Sequence, residues 1–447
     1  MKNKNVLFVF ILLISLNISA CNNINTAYAI PVVSFPEMKL EKNRLSLYII
    51  AYCWRPKDAR ISLNTPEQGE VHLVVQDGIG KNVSVTEEFP TSSLAFVNMI
   101  GCFSYYEKQD LRLESGKIHW RPNTNQIGLV YGTSKSTPWL KIFSVENDNL
   151  SLLDMGDPLG LNEYFTHPED VFWSPDGSKF ATRAFDLDLG NSIWVYEMDS
   201  KKTIQMIDIK EVGNFVENAS WSSAGDKIAI GYGVPYSGIS IVTYAEPKNY
   251  IEITSKTTSV LKNWRYSINN PINALQVILT DPPVYKFNFY ISERSLPVWV
   301  NNDEKIIFVA ANKDGKATLF IVNSNGENLL ELLPGFPGIV ALPTLSPDQK
   351  TLAFIRYPRW KNNDRVEIAT VNIDTLEIKS LAVLPAPENN DELWISGLSW
   401  TPDGEFLAVS SPHTGESEIY VISKDGSSWL NLTENLSGDA VSPAWKP

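Results

Sequence analysis

Histidine is nearly absent from this chain of 447 residues: there are four, His72, His119, His167 and His413, and they are dispersed. There is also no G-x-S-x-G elbow, no H-E-x-x-H pair and no P-loop, so a hydrolytic nucleophile has no motif-borne base and a transition metal has no ligand cluster. Basic residues are the minority charge, 38 Lys and Arg against 51 Asp and Glu, a net charge of −13. That balance argues against a phosphate backbone as partner, since clustered Lys and Arg supply the attraction, and no nucleic acid is expected. Long apolar runs are missing too. The run 6–16, preceded by Lys2 and Lys4, is too short to span a bilayer and has the length of a signal-peptide core. No break in composition divides the chain, although it exceeds one ordinary compact domain. An array of repeated units resolves this, because each unit buries its apolar face on its neighbours.

What the chain has in quantity is short β patterning. The stretch 398–433, LSWTPDGEFLAVSSPHTGESEIYVISKDGSSWLNLT, reads as four strands with two Asp-Gly turns, an antiparallel meander. Aligned on its first turn, one frame occurs seven times: Trp54-Arg55-Pro56 to Ile61, Trp120-Arg121-Pro122 to Ile127, Trp173-Ser174-Pro175 to Phe180, Trp221-Ser222-Ser223 to Ile228, Trp299-Val300-Asn301 to Ile306, Leu345-Ser346-Pro347 to Leu352 and Trp400-Thr401-Pro402 to Leu407. The apolar residue opening the second strand always lies seven positions after the anchor, which implies one hairpin geometry reused. Successive anchors are 66, 53, 48, 78, 46 and 55 residues apart, a minimum near the length of a propeller blade with loop insertions in excess.

The wording W-S-P-D-G followed by I-Y-V-x-x-x-D-G closely resembles the TolB-type, WD-repeat-like propeller repeat, over about 45–447. The resemblance implies an all-β propeller of four-stranded antiparallel blades, and the recurring Trp would be inter-blade packing. In serine peptidases the same repeat precedes an α/β-hydrolase domain. Here the chain stops on Ser442-Pro443-Ala444-Trp445, an eighth anchor with nothing after it, so no catalytic half is expected. A lone final strand is what ring closure requires. Seven blades are preferred, with Ala444 and Trp445 joining the blade near Trp54; six or eight remain open because 45–53 already supplies an apolar strand there.

The N-terminus carries a second resemblance. Ile18-Ser19-Ala20-Cys21 resembles a bacterial lipobox, in which the cysteine is acylated and becomes the mature N-terminus; the alternative is secretory cleavage after Ala27-Tyr28-Ala29. Either route takes the chain out of the cytoplasm, to the cell envelope with a lipid anchor in the first case and as a secreted soluble protein in the second. Residues 1–20 are then the signal, 21–44 a tether and 45–447 the ring. Cys53 and Cys102 remain as an even pair in an oxidising compartment, either bridged or as two buried thiols.

Sorting the connections by length gives a candidate working face. Short turns join strands A to B and C to D on one edge of the ring. The long segments, 88–116, 155–170, 254–296 and 385–397 as crossovers and 183–191 and 358–365 as B–C loops, project from the other edge. They carry Tyr105, Tyr106, His167, Trp264, Arg265, Tyr266, Arg359, Trp360 and Trp394, and the loop 410–417, which faces the same way, carries His413; the aromatic and Arg types among them anchor interfaces or stack on sugars, and each would otherwise pack its own loop. Asp186 and Asp188 have calcium-loop spacing but lack the remaining ligands, and turn formation is the competing account. The expected function is binding of a protein, peptide or glycan without cofactor. A carbohydrate-active lyase or hydrolase at the channel mouth, or a structural subunit of an envelope complex, are the alternatives.

Overall fold

Six of the seven frames pair as their spacing requires. In a computed structural model, Trp120 pairs with Ile127, Trp173 with Phe180, Trp221 with Ile228, Trp299 with Ile306, Leu345 with Leu352 and Trp400 with Leu407. The structure describes residues 42–56, 72–79, 83–85, 99–100, 103–105, 111–113, 118–133, 136–146, 149–153, 171–186, 190–207, 216–232, 238–253, 296–311, 317–334, 338–357, 365–385, 397–412 and 415–447. Their strands form seven antiparallel sheets, six of four strands and one of seven, the blades of a β-propeller.

The seventh frame is a correction. Ile49–Pro56 is not the innermost strand of its blade but the second. It pairs on one side with His72–Asp77 and on the other with the C-terminal strand Gly438–Trp445. Trp445 faces Ile50, as the other anchors face the residue seven positions on, and Trp54 lies opposite Ala440 and His72 instead. The anchors therefore number seven, with Trp445 replacing Trp54, and the count of seven blades stands. Blade 1 is closed by strands from both ends of the chain.

The inner and middle strands are apolar on both faces because each blade is covered on both sides. In blade 6, Leu352 and Phe354 pack towards Val300 and Ile307 of blade 5, while Ala353, Ile355 and Tyr357 pack towards Leu407 and Val409 of blade 7. The period of two thus distributes one strand over two inter-blade cores.

The A–B turns follow from the repeat's polar residues. Ser174 Oγ donates to Asp176 at 2.6 Å and accepts from the Lys179 amide at 3.0 Å, while Asp176 accepts from the Ser178 amide at 3.0 Å. Ser346 with Asp348 and Thr401 with Asp403 repeat the arrangement, and Ser423 with Asp425 repeats it in a C–D turn. Gly177 takes φ +69°, and a Cβ there would sit 2.7 Å from the Pro122 carbonyl oxygen of blade 2. Blade 5 departs from the motif: Asn301, Asn302 and Asp303 are all left-handed, and Asp303 caps the neighbouring turn, accepting from the Ser223 and Ala224 amides at 2.7 and 3.0 Å.

Candidate functional site: the loop face and the channel

The insertions all leave from one edge. Within 42–447, every segment of more than three residues outside the described set joins strand B to C of one blade or strand D to A of the next. The opposite edge is made of the short hydrogen-bonded turns.

One insertion is built into a sheet. The connection from blade 1 to blade 2 contains Met99–Ile100, Phe103–Tyr105 and Leu111–Leu113, and the first of these pairs with Tyr131 and Gly132 on strand B of blade 2. Strand A of that blade, Ile118–Trp120, pairs with residues 127–129 of the same strand. The inserted strands thus prolong the inner side of blade 2 at its loop-face end, where a loop was expected. Tyr105 lies in this extension. Tyr106, His167, Trp264, Arg265, Tyr266, Arg359, Trp360, Trp394 and His413 lie outside the described residues, each in a connection attached to the loop edge.

The B–C loop expected at 183–191 is shorter than that. Strand B of blade 3 runs Lys179–Asp186 and strand C runs Gly190–Glu197, with Asp186 paired to Gly190. Asp186 closes the ladder of a tight hairpin, and Asp188 lies outside the described residues. Among the described residues no three His, Cys, Asp or Glu are grouped to hold a metal ion. Cys53, 1% exposed, is in a disulfide; Cys21 and Cys102 lie outside the described residues.

Inside the ring the seven inner strands surround a channel of about 570 Å³, lined from Leu296 and Gly397 at the loop ends of the strands to Pro122 and Ser223 in the A–B turns. An inner strand exposes an unpaired backbone edge, and the anchors cover it. Each indole donates to the carbonyl of the residue preceding the anchor of the previous blade: Trp120 to Ala444 at 2.9 Å, Trp173 to His119 at 3.2 Å, Trp221 to Phe172 at 2.9 Å, Trp299 to Ser220 at 3.1 Å and Trp400 to Thr344 at 3.1 Å. The ring of bonds breaks twice. The Leu345 side chain has no N–H to give, and the Trp445 indole is buried without a partner, the Trp445 backbone amide instead donating to Ser399 Oγ at 2.9 Å. The scaffold role expected for the anchor tryptophans follows from these bonds.

The position before each anchor lines the channel, giving Ala444, His119, Phe172, Ser220, Val298, Thr344 and Ser399. His119 is the only ionisable side chain among the described lining residues, and its ring lies 6.2 Å from that of Phe172. The register of the frame, one residue before an anchor, is the signal in the sequence that marks this position. Ser220 Oγ donates to the Pro297 carbonyl at the entry of blade 5 and Thr344 Oγ1 to the Leu342 carbonyl of its own strand, so both hydroxyls are engaged with backbone. The lining can pack an uncharged ligand, and among the described lining side chains it offers a single ionisable group, His119.

No family model and no curated protein matches the chain. Among solved structures it is similar to TolB from Acinetobacter baumannii, at 14% identity over 85% of this chain and 79% of that one, with a TM-score of 0.46. It is also similar to an oligogalacturonate lyase in complex with manganese, at 11% identity over 71% and 77%, TM-score 0.46. A prolyl endopeptidase matches at 9% identity over 85% of this chain and 49% of that one, TM-score 0.45. These values add no weight beyond the strand pairing, on which the propeller fold rests.

Proposed function

We propose that the protein is an exported propeller, lipid-anchored through Cys21, that binds a protein, peptide or glycan through its loop face and performs no chemistry of its own. The observation that carries this is the one-sidedness of the insertions: a rigid ring holds all its long connections on one edge, the arrangement in which variable loops bind. Among the described lining residues only His119 has an ionisable side chain, which supports binding over catalysis. A hydrolase or lyase needs an acid and a base, or a metal, held together. The experiment is capture by photo-crosslinking in cells, comparing the full chain with a form lacking 256–293, and with glycan-array binding as the second readout. The full chain is expected to capture a defined partner that the deletion loses while its melting stays cooperative. Equal capture by both forms would assign binding elsewhere.

A further inference from the structure

The anchors stand at one place in each blade, and blade 6 alone has no aromatic ring there. Five indoles bond to the blade before them, and Trp445 keeps its ring in the seam between blades 7 and 1 although its N–H finds no acceptor. These six tryptophans are between 4% and 9% exposed. Leu345 is only half-buried, and it forms part of the channel wall together with Val298, Trp299 and Thr344. Leucine is shorter and narrower than an indole, so the seam between blades 5 and 6 opens to the channel where the other seams are filled by a ring.

The acceptor that serves each of the five bonded indoles is present at this seam too. Each is the carbonyl of the residue before the previous anchor, and for blade 6 that residue is Val298. A carbonyl has two lone pairs, and strand pairing engages at most one. The wall beside the seam is also strained. Ala341 pairs with Ile355 and Thr344 with Ala353, so Leu342 and Pro343 bulge opposite Phe354, with Leu342 at φ +53°. Both bulged residues line the channel. The same pairing of a left-handed residue with a following proline recurs at Ser442-Pro443 in blade 1, the other break in the ring of indole bonds. Left-handed backbone at a non-glycine residue is costly and gathers at ligand sites.

We infer that the seam between blades 5 and 6 is a binding site for a tryptophan side chain of a peptide or protein partner, entering from the channel. Its indole N–H donates to the Val298 carbonyl, and its ring packs against Leu345 and Pro343. The chain's own tryptophans are the precedent, since five of them make this bond in equivalent seams. Phenylalanine has the ring without a donor, and tyrosine carries its donor at the tip of the ring. A channel of about 570 Å³ has room for the backbone that bears the ring. The site is separate from the loop insertions, and neither reading depends on the other.

The probe is N-acetyl-tryptophanamide, titrated into the full chain, with binding read by saturation-transfer NMR and by melting temperature. Saturable binding with a rise in melting temperature is expected. The 1-methylindole form of the probe, which has no ring N–H, is expected to bind about five-fold more weakly, the contribution of one neutral hydrogen bond. Leu345→Trp places a ring of the chain's own in the seam and is expected to abolish binding. Leu345→Phe, a smaller change, is expected to weaken it and serves if Leu345→Trp does not melt cooperatively. Absence of saturable binding, equal affinity for the two probes, or unchanged affinity in a folded Leu345 variant overturns the proposal.

Discussion

The two edges of the ring are held by different means. At the turn edge the same few atoms recur: a hydroxyl, a carboxylate two residues on and one or two amides, in blade after blade. Among the described residues at the loop edge no such motif recurs, and where blade 6 needs polar support there it uses a buried ion pair. Arg356 near the end of strand B and Glu367 near the start of strand C form a two-pronged contact, with Nε to Oε2 at 2.8 Å. Their side chains are 10% and 3% exposed. Repeated local bonds at one edge fix the scaffold cheaply and leave the other edge free to diversify. The price is that its polar groups are solved one at a time.

The sharpest way to break this contrast is Glu367→Gln. It leaves the Arg356 charge buried without its carboxylate, and loss of one partner of a buried pair costs about 3–5 kcal/mol. Chemical denaturation is expected to show a lowered midpoint, with Arg356→Met/Glu367→Leu recovering most of it. A loss under about 1 kcal/mol would mean that the pair is solvated and that the two edges differ less than the burial implies.

A matched pair of glycines probes the same contrast at smaller scale. Gly177 lies in a turn, at φ +69°, with the Pro122 carbonyl in the way of any Cβ. Gly415 lies in the B–C connection of blade 7, at φ +112°, with nothing within 4 Å. Both positions strain an L residue, but only the first also displaces a neighbouring blade. Gly177→Ala is expected to cost about 2–3 kcal/mol and Gly415→Ala about 1 kcal/mol, read from thermal melting. Equal costs would show that inter-blade contact adds nothing at the turn edge.

Legibility divides along the same line. The anchors, their offset of seven and the Ser-x-Asp turns were readable because each rests on contacts within about a dozen residues. Trp54 was misread for the complementary reason. Trp54-Arg55-Pro56 matches Trp120-Arg121-Pro122 residue for residue, and only pairing with Gly438–Trp445, at the far end of the chain, shows it to be a second strand. The strands within 99–113 were also read as loop. They are two or three residues long and form only by joining strand B of blade 2, so no local period marks them. Leu345 was recognised as an anchor by spacing, but spacing could not show that it interrupts a ring of indole bonds. His119 was in plain view beside Trp120, and a register argument would have placed it in the channel.

The smallest expected effect concerns acid. Hydrogen bonds from Ser174 and then Ser178 hold the Asp176 carboxyl down to about 2, against partial desolvation. Asp348 and Asp425 are lowered by the corresponding Ser346 and Ser423 bonds. Asp403 is lowered as well: burial works the other way, and bonds from Tyr48 and Thr401 outweigh it. Unfolded aspartate titrates near 3.9, so these groups stabilise the ring above about pH 4 and lose that contribution as pH falls towards 2. The melting temperature is expected to be level above pH 5 and to fall below about 4, with Asp176→Asn falling less steeply. Because the leading cause is a hydrogen bond from a neutral hydroxyl, 1 M salt should leave most of this acid dependence in place. If salt removes it, the turns are held by ion pairs such as Lys179 with Asp176. The two edges would then differ in how deeply their charges are buried, and the distinction between repeated neutral bonds and a single ionic contact would fail.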